Sequence, residues 1–422
     1  MTSMPSRQGT KIPRERPGFW RRWCCFFKPP IMTTHSIIVL PDESGTLVRY
    51  RLSSKETPKM SGGEKTVKFI QRIDGTGNPF GKIGLLFRFD KTVVVQADVQ
   101  MEAWCLKVLG RDAVAYSRTK QDGTVVYYVK TDDLYDGIDA LDWCEQSIAA
   151  DSAIKRARLK GVPAIGTMAL EDRIALIYEM TYQMRLLEQK GLLIPDLSLE
   201  NLIVHKDSAG HWRMRMIDFS MCTFPDEDGT MHLDGKPAYW DLYTRTQLKG
   251  RRNRNTDYFS LGISAASFLP EYAKVGEISI GLKEYDIMAQ ARFESPPLHS
   301  PQATANFVAI LTRMCDPHNG RRPSTEELLA SCAALLPVET IARIRKVYPA
   351  LVAPAAAVVA EETESKTEEP RTRAVQLGAA RAAPTPEHVA AAIQIIRVRD
   401  QVPETAGESS GESYRLLKNP AE

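Results

Sequence analysis

Between Leu170 and Lys190 six apolar residues, Leu170, Ile174, Ile177, Met180, Met184 and Leu187, recur at helical spacing, with Glu171 and Asp172 at the start and Gly191 just past the end. A helix of that length with one apolar stripe needs a second layer to cover it, and the acidic residues in its first turn complement the helix dipole. The residues after this helix narrow the choice of fold further. A short loop, residues 194–201, leads into two strand-like runs, Leu202 to His205 and Trp212 to Ile217, joined by a polar loop. In the second run Trp212, Met214 and Met216 alternate with Arg213 and Arg215, so the long helix feeds a β-hairpin.

Upstream, short β-branched runs at 36–40, 46–52 and 66–70 are separated by Gly, Pro and Ser and read as an antiparallel meander. Residues 97–109 carry Val99, Ala103, Leu106 and Leu109 at helical spacing, with Asp98 as a candidate cap and Gly110 as a stop. A strand over 124–129 follows the Asp122-Gly123 turn, and from about residue 138 to 349 the pattern is mostly helical. The expected class is therefore α+β. Residues 1–33 are rich in Pro, Arg and Ser and read as irregular. Beyond residue 350 the chain turns to Ala, Glu, Pro and Thr, too little apolar surface to offset chain entropy, so 350–422 reads as mostly disordered, with a short helix over 386–398 after Thr385-Pro386.

A net charge of +3 with 55 basic against 52 acidic residues gives no electrostatic reason to expect a nucleic-acid partner. Seven scattered cysteines without a C-x-x-C pair suggest reduced thiols in the cytoplasm, with neither a disulfide framework nor a zinc site. No apolar run is long enough to span a bilayer. Residues 19–28 nevertheless combine Phe19, Trp20, Trp23, Phe26 and Phe27 with Arg21, Arg22 and Lys28 around Cys24 and Cys25. They fit either peripheral contact with a membrane, the two cysteines being acylation candidates, or an aromatic anchor packed on the folded domain.

The chemistry-bearing residues cluster around the hairpin. Asp196 and Asn201 stand five apart in the loop, and Asp218 follows the second strand in Asp218-Phe219-Ser220. Phosphoryl transfer needs such a set, one carboxylate to orient the attacking hydroxyl and an Asn and an Asp to hold magnesium against the phosphates. Here the chain resembles the protein-kinase family, with its H-R-D-x-x-x-x-N loop and D-F-G motif. Gly235 to Tyr239 is similar to G-T-P-x-Y, Asp257 to Gly262 to D-x-W-S-L-G, and Arg322-Pro323-Ser324 to the closing R-P-S/T segment, so the resemblance covers roughly residues 36–335.

The resemblance implies a bilobal fold, with a small β-rich lobe over 34–135 carrying one regulatory helix and a larger, mainly helical lobe over 136–349. It implies ATP and Mg2+ as cofactors and a protein substrate, with Asp196 as the catalytic Asp and Asn201 and Asp218 as metal ligands. Of three candidate ATP-binding lysines, Lys68, Lys107 and Lys130, only Lys68 leaves room for the helix and two strands before a hinge near 131–134. Glu102 is then its carboxylate partner, and residues 74–95 become an insertion. Within it Gly75 to Lys82 does not match a Walker loop and reads as a flexible surface loop.

The departures are specific. Ile194-Pro195 replace His-Arg, Ser220 replaces the Gly of D-F-G, and Asp241-Leu242-Tyr243 replace A-P-E, leaving Arg322 without the family's glutamate. Gly45 is the only glycine where three are usual, beside Asp42 and Glu43. Without the loop Arg, an active site of this kind does not depend on a phosphorylated activation loop. The family's Lys two residues after the catalytic Asp is Ser198, and the Thr it meets is Lys236. Lys236 is then either the cation that reaches the transferred phosphate from the opposite wall or a solvated loop lysine. Two functions stay open: a divergent Ser/Thr kinase, and a pseudokinase that scaffolds a partner.

Overall fold

In the computed structural model the residues described are 35–42, 46–53, 65–89, 96–120, 123–131, 138–145, 163–232, 239–241, 244, 251–279, 287–298, 300–351 and 414–417. The N-terminal part is a curled antiparallel sheet. Its strands are β1 (His35–Pro41), β2 (Leu47–Ser53), β3 (Lys65–Ile73), β4 (Pro79–Phe89), β5 (Ala113–Thr119), β6 (Val125–Thr131) and β14 (Tyr414–Leu417), in the order β1-β2-β3-β4-β6-β5-β14. Helix α1 (Gln96–Val108) connects β4 to β5. The first three strands form the meander that their β-branched runs and intervening turn residues imply.

Within the stretch 74–95 that reads as an insertion, the described residues 74–89 form a turn and a full strand of the sheet. Asp74 accepts hydrogen bonds from the backbone of Thr76 and Asn78 at 2.9 and 2.8 Å, Gly77 takes φ 87°, and the chain reverses tightly into β4. β4 is a central strand, paired with β3 on one side and β6 on the other. Its run Leu85-Leu86-Phe87 is apolar because both faces of the sheet are covered there. Leu85, Phe87 and Phe89 join Val99, Ala103 and Leu106 of α1 in the main core. Leu86 joins Tyr50, Ile70, Val114 and Tyr116 in a second core on the other face.

The C-terminal part is built on α3 (Leu170–Glu188), preceded by β7 (Ile138–Asp139) and α2 (Ala140–Glu145). Helix α3 is buried nearly all round rather than along one stripe, and its polar residues are accordingly paired. Glu179 accepts from Arg213 at 3.0 and 3.1 Å, from the Met214 backbone at 2.8 Å and from the Tyr348 hydroxyl at 2.8 Å. These bonds fix the hairpin of β8 (Leu202–Lys206) and β9 (Trp212–Met216) against the helix.

The rest comprises the short pair β10 (Met231–His232) and β11 (Arg251–Arg252), then α4 (Arg254–Ser267), α5 (Pro301–Met314), α6 (Thr325–Ala333) and α7 (Val338–Arg345). Between α4 and α5 lies a hairpin, β12 (Ala273–Ser279) with β13 (Ile287–Phe293), where helix was expected. Its inward positions include the small residues Ala273 and Ala289, which give a weak alternation signal. The main core runs without interruption from the α1 face of the sheet to Ile344 of α7. The tail, read as mostly disordered, supplies β14; the helix expected over 386–398 lies outside the described residues, as does 19–28. Among the described residues no helix is long and apolar enough to cross a membrane.

His205 sits buried in β8. Burial, with Arg215 next, pushes its imidazole down to about 3. The folded value lies below the ordinary one, so the native state holds a neutral ring that protonates in the unfolded chain. The stability it contributes is present above about pH 6.5 and is lost as the pH falls toward 3, at up to about 1.4 kcal/mol per pH unit. His205→Gln should flatten the decline in chemical-denaturation stability between pH 6 and pH 4; an unchanged slope would show that other groups dominate.

Candidate functional site

The loop after α3 is held by three buried contacts. The Ile194 amide donates to Asp257 Oδ2 at 2.8 Å. Arg252 donates to the Pro195 carbonyl and to Asp257 Oδ1, both at 2.6 Å. Asp257 is carried by α4, whose start is fixed by a capping box at Asn253 and Thr256, and its pairing with Arg252 has side-chain exposures of 2% and 0%. A charge pair this deep is made more tolerable by hydrogen bonds that both partners also make to the loop backbone.

Asp196 emerges directly after Pro195, and Asn201 folds back on it. The Asn201 side-chain amide donates to the Asp196 carbonyl at 2.8 Å and to its carboxylate at 2.7 Å. Both partners are acceptors, which makes the NH2 group the one facing Asp196 and turns the amide oxygen away from it. The Asn201 carbonyl in turn accepts from the Ile217 amide at 2.9 Å, so the hairpin sets Asn201 beside the residue that precedes Asp218.

Asp218 has φ 63°, the only positive φ outside glycine among the described residues. A left-handed aspartate persists where the surroundings over-determine it. The Ser220 hydroxyl donates to its Oδ1 at 3.0 Å, and the following residue is pinned from the other side, the Phe219 amide donating to Glu102 Oε2 at 2.5 Å. Phe219 itself is in the main core. Helix α1 and the Asp218 loop are thus joined by a buried carboxylate, and the Ile217–Asn201 backbone bond ties that loop to the one carrying Asp196.

Lys68 does not belong to it. Its register partner in β4 is Leu86, so it lies on the face of the second core, whereas α1 covers the opposite face, that of Phe69 and Leu85. An alternation of two assigns every odd residue of β3 near this point to α1 and every even one away from it. The expected Lys68–Glu102 pair is therefore not formed. Lys130 shares the wrong face, 2% exposed, with its ammonium 5.5 Å from the Tyr50 ring centroid. Ser198 is buried in the loop, while Lys236 and Gly45 lie outside the described residues.

Two residues were not anticipated. Asp241 pairs with Arg322, both fully buried, so Arg322 does have a carboxylate partner despite the missing Glu. Arg252 had no sequence signal beyond a basic pair just before the Asn253 cap. Donor chemistry at the loop suits a hard cation, because Asn201 offers an amide oxygen and Asp218 a carboxylate, and magnesium commonly takes one or two such ligands with water and phosphate completing the shell. Among the described residues no cluster of three or more His, Cys, Asp or Glu side chains makes a self-sufficient metal site. Neither a family model nor a curated protein matches the chain.

Proposed function

We propose that the chain is a divergent protein kinase that transfers the γ-phosphate of ATP to Ser or Thr of a protein substrate, the small lobe being the curled sheet with α1 and the large lobe the α3 assembly. The observation that carries this reading is the left-handed Asp218 bracketed by Ser220 and by the Glu102–Phe219 bond, next to the Asp196–Asn201 pair. Asp196, with its carboxylate fixed by Asn201, would orient the substrate hydroxyl and take up its proton. Asn201 and Asp218 would hold magnesium, which when bound neutralises phosphate charge. Asp257 and Arg252 keep the loop in place without a phosphate on the activation segment. Asp241 stands in for the family's glutamate at Arg322.

A specific observation favours a second reading, a pseudokinase that scaffolds a partner: Lys68 is on the wrong face to anchor nucleotide phosphates. Lys236 would then be the residue that decides between them. Magnesium-dependent thermal stabilisation by ATP separates nucleotide binders from empty scaffolds, and radiolabel transfer to a generic protein substrate separates enzymes from binders. Stabilisation together with transfer supports the kinase; absence of both sinks it.

Two variants sharpen the test. Lys68→Met should leave ATP-induced stabilisation within about twofold, because its side is turned from α1, and a clear loss would restore it as the nucleotide lysine. Lys236→Ala should lower kcat by roughly one to three powers of ten with little change in ATP affinity, the range for removing one electrostatic stabiliser. Equal transfer by that variant would show a solvated lysine.

A further inference from the structure

The seventh strand of the N-terminal sheet comes from the far end of the chain. Residues 414–417 pair antiparallel with β5, Tyr414 opposite Arg118, Arg415 opposite Ser117, Leu416 opposite Tyr116 and Leu417 opposite Ala115. The added strand also comes alongside β1, so it fills the gap between the two ends of the curled sheet. We propose that the outer edge of β5 is a docking edge for an extended peptide, occupied reversibly by this chain's own C-terminal residues Tyr414–Leu417, which join and leave while the rest of the domain stays folded.

Length and connectivity argue for reversibility. Four residue pairs supply only a few ladder hydrogen bonds, and these are set against the entropy of ordering the segment. The pairings of β3 with β4 and of β5 with β6 are longer and are joined by tight turns. Both strands belong to one chain, so docking in cis is intramolecular and is favoured over capture of a second copy. The register places Leu416 opposite Tyr116 of the second core and Leu417 opposite Ala115 of the main core. Strand addition of this kind draws affinity from the backbone ladder and selectivity from alternate side chains.

The edge is also connected to the site. β5 packs on α1, and α1 carries the Glu102 that holds the Phe219 amide. Occupancy of the edge and the position of that carboxylate are linked through one helix, whatever reaction the site performs, and linkage of this kind acts in both directions.

The test uses the full chain and hydrogen exchange. Arg415→Pro and Leu416→Pro are made separately, because amides of neighbouring strand residues point to opposite sides and one of the two must lose a ladder donor. In at least one variant the β5 amides that face β14 should exchange at least about tenfold faster, while those of α3 keep their wild-type rates. A synthetic peptide of residues 411–420 at roughly millimolar concentration should restore the slow rates, and a scrambled peptide should not. Unchanged exchange of β5 in both variants would overturn the proposal. So would equal acceleration in α3, which would make β14 an integral part of the core, or failure of the native peptide to restore protection.

Discussion

If the chain is the kinase proposed above, Asp218→Asn is expected to lower its magnesium-dependent phosphate transfer at least a hundredfold while leaving the melting temperature within about 2 °C of wild type. Asparagine suits this position better than alanine, because it tolerates the left-handed backbone at φ 63° and keeps the oxygen that accepts from Ser220. What it removes is the negative charge. An amide is a weaker ligand for a hard divalent cation than a carboxylate, and the loss falls where phosphate charge has to be balanced. The fold should be indifferent, since Phe219, and not Asp218, lies in the core. Radiolabel transfer and thermal melting measured on the same preparation decide the matter. Undiminished transfer would remove Asp218 from the reaction, whereas a large fall in melting temperature would mean that the variant reports on folding.

Arg252→Met should have the largest effect on stability, about 3 to 5 kcal/mol, because it leaves the Asp257 carboxylate buried without its cation. For a chain of this size that amounts to a fall in melting temperature of roughly 5 °C or more. The Pro195 carbonyl loses a donor in the same step, so the loop carrying Asp196 loosens. Pairing the change with Asp257→Asn should recover much of the stability, because the uncompensated charge disappears while an amide can still meet the Ile194 backbone. A double variant as unstable as the single one would show that Arg252 acts by packing alone. The comparison is a double-mutant cycle, and a coupling near zero would contradict the ion pair.

Much of the helical part was legible because its signals are local. The stripe of α3, the alternation of β9 and the loop of Asp196 to Asn201 each lie within one window of sequence. The N-terminal sheet was less so. β4 is buried on both faces and loses the alternation that marks a half-exposed strand, so its residues passed for an insertion. That error carried the lysine with it: once β4, and not β3, is the strand before α1, Lys68 falls on the wrong face. Arg252 and Asp241 could not be found by pattern, since their partners lie at Asp257 and Arg322 and only the folded chain brings each pair together.

The origin of β14 far downstream of β5 has a consequence for synthesis on the ribosome. β5 emerges roughly 300 residues before the strand that will cover its edge, and at 5–20 residues per second that edge stays open for about 15 to 60 s of every round of translation. An exposed edge is a template for pairing with any other extended segment. The nascent protein therefore passes through an interval when its finished N-terminal strands are most open to a wrong partner, including the same edge on a neighbouring chain of the polysome, and residues 414–417, made roughly 300 residues after β5, are the ones that end it.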